Sequence, residues 1–152
     1  MIGAGLTTPL SNYEPNAILS IGNQTTAGQG NAILQYKFNS GLFANVQGGY
    51  QFKSGEVPNA SIFQAMVGFA AAEIYVAGFL FTQTSDKDAP DIMPPDVPFQ
   101  ETRVNYTAIG LNLFVLLSSV VGISASASKY ISGRNVGISN IFSGGVNIRF
   151  GQ

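Results

Sequence analysis

The chain has no cysteine, no histidine and no tryptophan, and only 10% of its residues are charged. Without Cys there is no disulfide framework and no thiol nucleophile. Without Cys and His the commonest transition-metal ligands are gone, which leaves only carboxylate-type sites. Loss of His also removes the commonest general base and excludes a Ser-His-Asp triad. A net charge of −1 argues against nucleic acid, whose binding rests on clustered Lys and Arg. The scarcity of charge matters in itself, because soluble domains carry about 25%.

Long apolar runs are missing too. No segment reaches roughly 18 uninterrupted apolar residues, so no transmembrane helix is expected. The nearest, Ala108 to Ile123, is broken by Gly110, Asn112, Ser118 and Ser119. The start, MIGAGLTTPL, has no basic stretch followed by an apolar run and does not read as a signal peptide. An exported protein needs one. Either it was removed and Met1 added, or the chain is a piece of something longer.

What the chain does have is alternation. Val136 to Phe150 reads VGISNIFSGGVNIRF. Its even positions are apolar or Gly except Asn140, and its odd positions are small or polar except Ile141. This is the period of a β-strand. Asn31–Phe38 and Leu42–Phe52 alternate likewise around the turn Asn39-Ser40-Gly41, with Phe43 out of character. Ser61–Phe69, Glu73–Thr84, Thr102–Val115 and Val121–Tyr130 follow as strands. Glu73–Thr84 is apolar on both faces, so its orientation stays open. The phase of Thr102–Val115 blurs near Ile109, as a bulge would cause. Ile2–Thr8 or Ala17–Thr26 supplies one more strand. Helical patterning is not evident.

Short turns alternate with longer loops. Ser85–Glu101 is the acidic one, with five of the eight acids and four of the seven prolines. Proline breaks sheet ladders, so this segment is a loop, expected on the extracellular side. The fold class expected is all-β, an antiparallel up-and-down transmembrane β-barrel. About eight strands form one domain over residues 1–152, or the C-terminal part of a larger barrel. In hydrocarbon every backbone polar group must be paired, so a sheet crosses only when closed. Crossing takes about 9–11 residues per strand. A lipid bilayer is then the partner, at the bacterial outer membrane. Aromatic girdles are expected from Phe38 and Phe150 at one rim, and from Tyr50, Phe52, Phe79, Phe81 and Tyr106 toward the other. The competing reading is a soluble sandwich or small barrel, whose outer face should carry more Lys and Glu to block edge pairing.

Three stretches resemble one group of outer-membrane barrels. They are Gly3-Ala4-Gly5-Leu6-Thr7-Thr8-Pro9, Tyr130-Ile131-Ser132-Gly133-Arg134-Asn135 and Gly144-Gly145-Val146-Asn147-Ile148-Arg149-Phe150. The group is the transporter-like barrels often encoded with phenol meta-cleavage genes, similar more broadly to hydrophobe-uptake channels. The resemblance implies passive transport of a small, hydrophobic solute. It matches the C-terminal part of longer family members, and it departs where Gly151 and Gln152 follow the final aromatic.

No catalytic constellation stands out, and no enzyme, cofactor or metal is expected. A Ser–Lys pair at Lys129 is less in keeping with its strand-end position than a rim charge. The candidate surface is the lumen. Gln35, Lys37, Asn45, Gln47, Gln51, Gln64, Arg103, Asn105, Thr107, Ser124, Ser126, Ser128, Tyr130, Asn147 and Arg149 are expected to point inward. In eight strands they would plug the interior; in twelve or more they would line a passage. The alternative function is a structural or adhesive barrel whose loop binds a partner through Asp86, Asp88, Asp91 and Asp96.

Overall fold

In the computed structural model, which describes residues 1–10, 24–90 and 102–150, the chain is a meander of eight strands. They are β1 Ile2–Thr7, β2 Ala27–Lys37, β3 Leu42–Lys53 and β4 Ala60–Ala70. β5 Ile74–Ser85, β6 Asn105–Leu116, β7 Val121–Arg134 and β8 Asn140–Ile148 follow. Each pairs antiparallel with its sequence neighbour in one sheet, ordered β1 to β8. Ile2–Thr7 is thus the first strand. Most of Ala17–Thr26 lies outside the described residues, and its end, Gln24–Thr26, is not strand.

The turns explain the meander. Gly41 has φ +85°, and a Cβ there would stand 2.9 Å from the Ala70 carbonyl, so this corner needs glycine. Phe38 N–H donates to the Leu42 carbonyl at 2.8 Å and closes the hairpin. Ser118 Oγ accepts from the Val121 N–H at 3.1 Å and closes the β6–β7 turn. The turns after β2, β4 and β6 share one end of the sheet, the short-turn end. The connections after β1, β3, β5 and β7 share the other, the long-loop end.

Register fixes which residues share a face, because direct cross-strand partners point the same way. Leu34, Val46, Ala65, Leu80 and Ile109 connect across β2 to β6 on one face. Gln35 pairs Asn45, which pairs Met66, which pairs Phe79, on the other. We call these the apolar and polar faces.

Burial inverts the pattern of a soluble sheet. Only four apolar residues are buried among the described ones: Ala60, Ile62, Ala77 and Ala108. All four lie on the polar face by register, as do buried Ser85 and Gly122. The apolar face is open, with Leu34 77%, Val67 66% and Phe142 79% exposed. The chain exposes 10223 Å², whereas a soluble monomer of its mass exposes about 7,400 Å². Among the described residues no second layer covers either face, since the backbone of each strand lies beside only those of its sequence neighbours. A sandwich would bury its apolar side chains between two sheets, so the sandwich reading fails.

Among the described residues β1 and β8 are the first and last strands of the sheet, with no pairing between them. β8 is also shorter than the 136–150 alternation suggests, because 136–139 forms the connection from β7. The irregularity expected near Ile109 is at Thr107/Ala108, with Ile131 of β7 as the unpaired residue.

Candidate functional site

Among the described residues, the polar face is where side chains of chemical interest gather in register. It has three zones, each set by what its strands contribute.

The first zone, on β2 to β4, is rich in amides. Gln35 is opposite Asn45, and Gln47 is opposite Gln64. Toward the long-loop end, Gln51 Nε2 donates to Gln29 Oε1 at 2.9 Å, and Gln29 Nε2 donates to Asn31 Oδ1 at 2.9 Å. Gly49 has no Cβ where the Asn31 amide lies, so this ladder fits only above a glycine.

The second zone, on β5 and β6, is aromatic. Tyr75, Phe79, Phe81, Tyr106 and Phe114 all take the polar-face phase. Phe81 and Tyr106 stack with centroids 5.7 Å apart, and Tyr106 meets Tyr130 edge-on at 5.0 Å. Phe43 and Tyr75 stack at 5.6 Å and 19°. Glycines make room for these rings. A Cβ on Gly68 would stand 2.7 Å from the Phe43 ring, and one on Gly122 2.6 Å from the Phe114 ring.

The third zone, on β7 and β8, carries hydroxyls. Ser126 and Ser143 Oγ atoms are 2.7 Å apart. Asn147 Nδ2 reaches Ser124 Oγ at 3.4 Å. Ser128 and Tyr130 continue the same phase, opposite Gly110 and Ala108.

Four expected lumen residues are not on the polar face of a strand. Thr107 pairs Thr82 on the apolar face, their hydroxyls 3.3 Å apart, and Asn105 shares that phase. Asn105 Oδ1 accepts from the Ser85 N–H at 2.8 Å, which ties β6 to the end of β5. Arg103 precedes β6. Its guanidinium donates to the carbonyls of Lys87 at 2.8 Å and Ala89 at 3.1 Å, so it fastens the β5–β6 connection. Arg149 lies just past β8, where its N–H donates to the Val120 carbonyl at 2.9 Å.

Three of the expected girdle residues lie on the other face. Phe79 and Phe81 take the polar face, and Tyr106 joins them. The apolar face keeps Tyr36 beside Phe38 at the short-turn end and Tyr50 beside Phe52 at the long-loop end, each pair 4.7 Å between centroids. Phe43, Met66, Tyr75, Phe79, Phe81, Tyr106 and Phe114 are polar-face residues absent from the expected set. The one sequence signal for them was apolar residues in the polar phase, as at Phe43.

A sequence family described as "Putative MetA-pathway of phenol degradation" matches residues 1–150. The chain belongs to this family. No curated protein and no solved structure matches it. The family match spans all eight strands and the described loops. Among those loops, the Gly133-Arg134-Asn135 corner has a clear structural task. Asn135 adopts φ 55°, a left-handed conformation that Asn tolerates, and its Nδ2 donates to the Arg103 carbonyl at 2.8 Å. The β7–β8 and β5–β6 connections are thereby joined.

Of the acidic loop residues, Asp91 and Asp96 lie outside the described residues. Asp86 accepts a hydrogen bond from the Tyr50 hydroxyl at 2.5 Å, and Asp88 is exposed. Among the described residues no group of three or more acids could hold a metal.

Proposed function

We propose that this chain builds the wall of a bacterial outer-membrane β-barrel that passes a small solute with an aromatic or apolar part. Passage is passive and follows the polar face. The observation that carries this reading is the inverted burial: the sheltered strand residues sit on the polar face, and the apolar face is exposed. Lipid is the solvent that makes such a sheet stable.

Dimensions agree. From Leu42 to Phe52 the apolar face of β3 runs about 33 Å at roughly 3.3 Å per residue. Tilted by about 40°, that covers the ~25 Å apolar band of an outer-membrane barrel. Rings mark both ends of it, at Tyr36/Phe38 and Tyr50/Phe52. The account requires the open edges of β1 and β8 to be paired in the membrane, since unpaired backbone is costly there.

The aromatic zone favours an apolar or ring-bearing solute, because offset and edge-on contacts suit such rings. The family's description names phenol degradation, which is compatible with uptake of a compound of that kind. Adhesion through the acidic loop has less support, because Asp86 is engaged by Tyr50.

The test is uptake by Gram-negative cells producing the protein. Radiolabelled naphthalene should enter them faster than cells without it. Equal rates, with the protein folded in the outer membrane, would refute passage.

A further inference from the structure

The eight strands contain no Asp or Glu. Their charged residues are Lys37, Lys53, Lys129 and Arg134, all cationic. Lys53 and Arg134 end their strands at the long-loop end, and Lys129 faces the apolar side opposite Asn140. Lys37 is therefore the only strand charge at the short-turn end, and it takes the polar face opposite Phe43. It has no ion pair or hydrogen bond among the described residues.

Beside Lys37 is a cavity of about 330 Å³ that it lines with Gln35, Asn45, Gln47 and Gln64. That volume is at the low end of the ~300–1,000 Å³ of small-ligand sites. Its apolar part is the stacked Phe43–Tyr75 pair with Met66, whose sulfur accepts from the Tyr75 hydroxyl at 3.3 Å. The four amides differ from those nearer the long-loop end. Gln29, Asn31 and Gln51 bond one another, whereas Gln35, Asn45, Gln47 and Gln64 make no side-chain hydrogen bond among the described residues. Donors and an ammonium with no partner among the described residues thus border a flat apolar wall. Glu73, in the turn after β4, is the carboxylate nearest in sequence to this end of β5, and it does not line the cavity.

We propose that this cavity is a selectivity site for a small aromatic monocarboxylate. Lys37 and the amides hold the carboxylate, and the ring lies against Phe43 and Tyr75. Charge-assisted hydrogen bonds are the stronger ones, so the ammonium sets the preference for an anion over a neutral ring of similar size. The proposal rests on the reading of the polar face as the passage wall, and it adds which solutes that wall favours.

Benzoate and benzyl alcohol are the probes, titrated by calorimetry into the full chain folded in detergent micelles. Benzoate should bind more tightly than benzyl alcohol, and added salt should narrow the gap. Lys37→Gln should weaken benzoate by roughly tenfold and leave benzyl alcohol unchanged, whereas Lys37→Arg should retain benzoate. The wild-type comparison stands by itself if a variant does not fold. Equal affinity for the two probes, no binding of benzoate, or undiminished benzoate binding to folded Lys37→Gln would overturn the proposal. Because binding is read at equilibrium, failure of this site leaves naphthalene uptake intact, and failure of uptake leaves the anion preference measurable.

Discussion

Lys129 and Asn140 stand directly opposite each other across the β7–β8 pair. They share the face that otherwise holds Ile123, Ala125, Ala127 and Phe142. Asn140 opens β8 near the long-loop end, and Lys129 lies five residues before the end of β7; in the proposed membrane orientation the pair falls toward the rim, where water and headgroups would solvate it. The one polar interruption of an apolar stripe thereby marks where the apolar band stops.

Depth should decide the cost of a charge on that face. Ala125→Arg, midway along the apolar stripe of β7, should destabilise the protein in lipid vesicles by about 2–4 kcal/mol. Asn140→Arg, at the rim, should cost about 0–1 kcal/mol. Urea unfolding in vesicles measures both. Equal costs would mean that the stripe does not face hydrocarbon.

Glycine substitutions should divide by face and neighbour. Gly122→Ala would put a Cβ 2.6 Å from the Phe114 ring, while Gly48→Ala meets nothing within 4 Å. The first should cost about 1–3 kcal/mol as an overpacking change. The second should be close to neutral. The same unfolding experiment separates them.

The loop clamp can be released without touching the strands. Arg103→Ala removes the donors to the Lys87 and Ala89 carbonyls. Limited proteolysis should then cut within residues 86–104 several times faster, with an unchanged β-sheet circular dichroism spectrum. Unchanged cleavage would show that the clamp does not hold this connection.

Tyr106 joins two ring contacts, to Phe81 and to Tyr130. Each such contact is worth about 0.5–1.5 kcal/mol. Tyr106→Ala should slow naphthalene uptake by roughly two- to tenfold. The cells must hold as much folded protein as wild type. Tyr106→Phe should keep most of the rate, because the ring rather than the hydroxyl makes the surface.

The legibility of the sequence depended on how different the two faces were. In β3, Leu42 to Lys53 has one face apolar or Gly and the other mostly amide apart from Phe43, and both its bounds and its facing are readable. β7 was readable up to Tyr130 for the same reason, since Ser and Ala or Ile alternate there. β5 gave no such contrast: Tyr75, Phe79 and Phe81 oppose Ile74, Val76 and Leu80, and only pairing with Gln64 and Met66 sets its phase. The error at β6 has a similar origin. Tyr106 and Ala108 read as apolar against Asn105 and Thr107, but near the long-loop end the apolar face itself turns polar, at Thr82 and Thr84. The aromatic zone followed from these two strands and was missed with them. The lack of pairing between β1 and β8 was not legible, because alternation records facing and says nothing of which strands meet.

The central claim is that lipid, not a second protein layer, covers the apolar face. Electrophoretic migration of the detergent-folded chain, with and without boiling, tests it most directly. The account predicts a compact, faster-migrating form that boiling converts to the unfolded position, and precipitation when detergent is withdrawn. A chain that stays soluble and monomeric without detergent, with the same β-sheet spectrum, would contradict it.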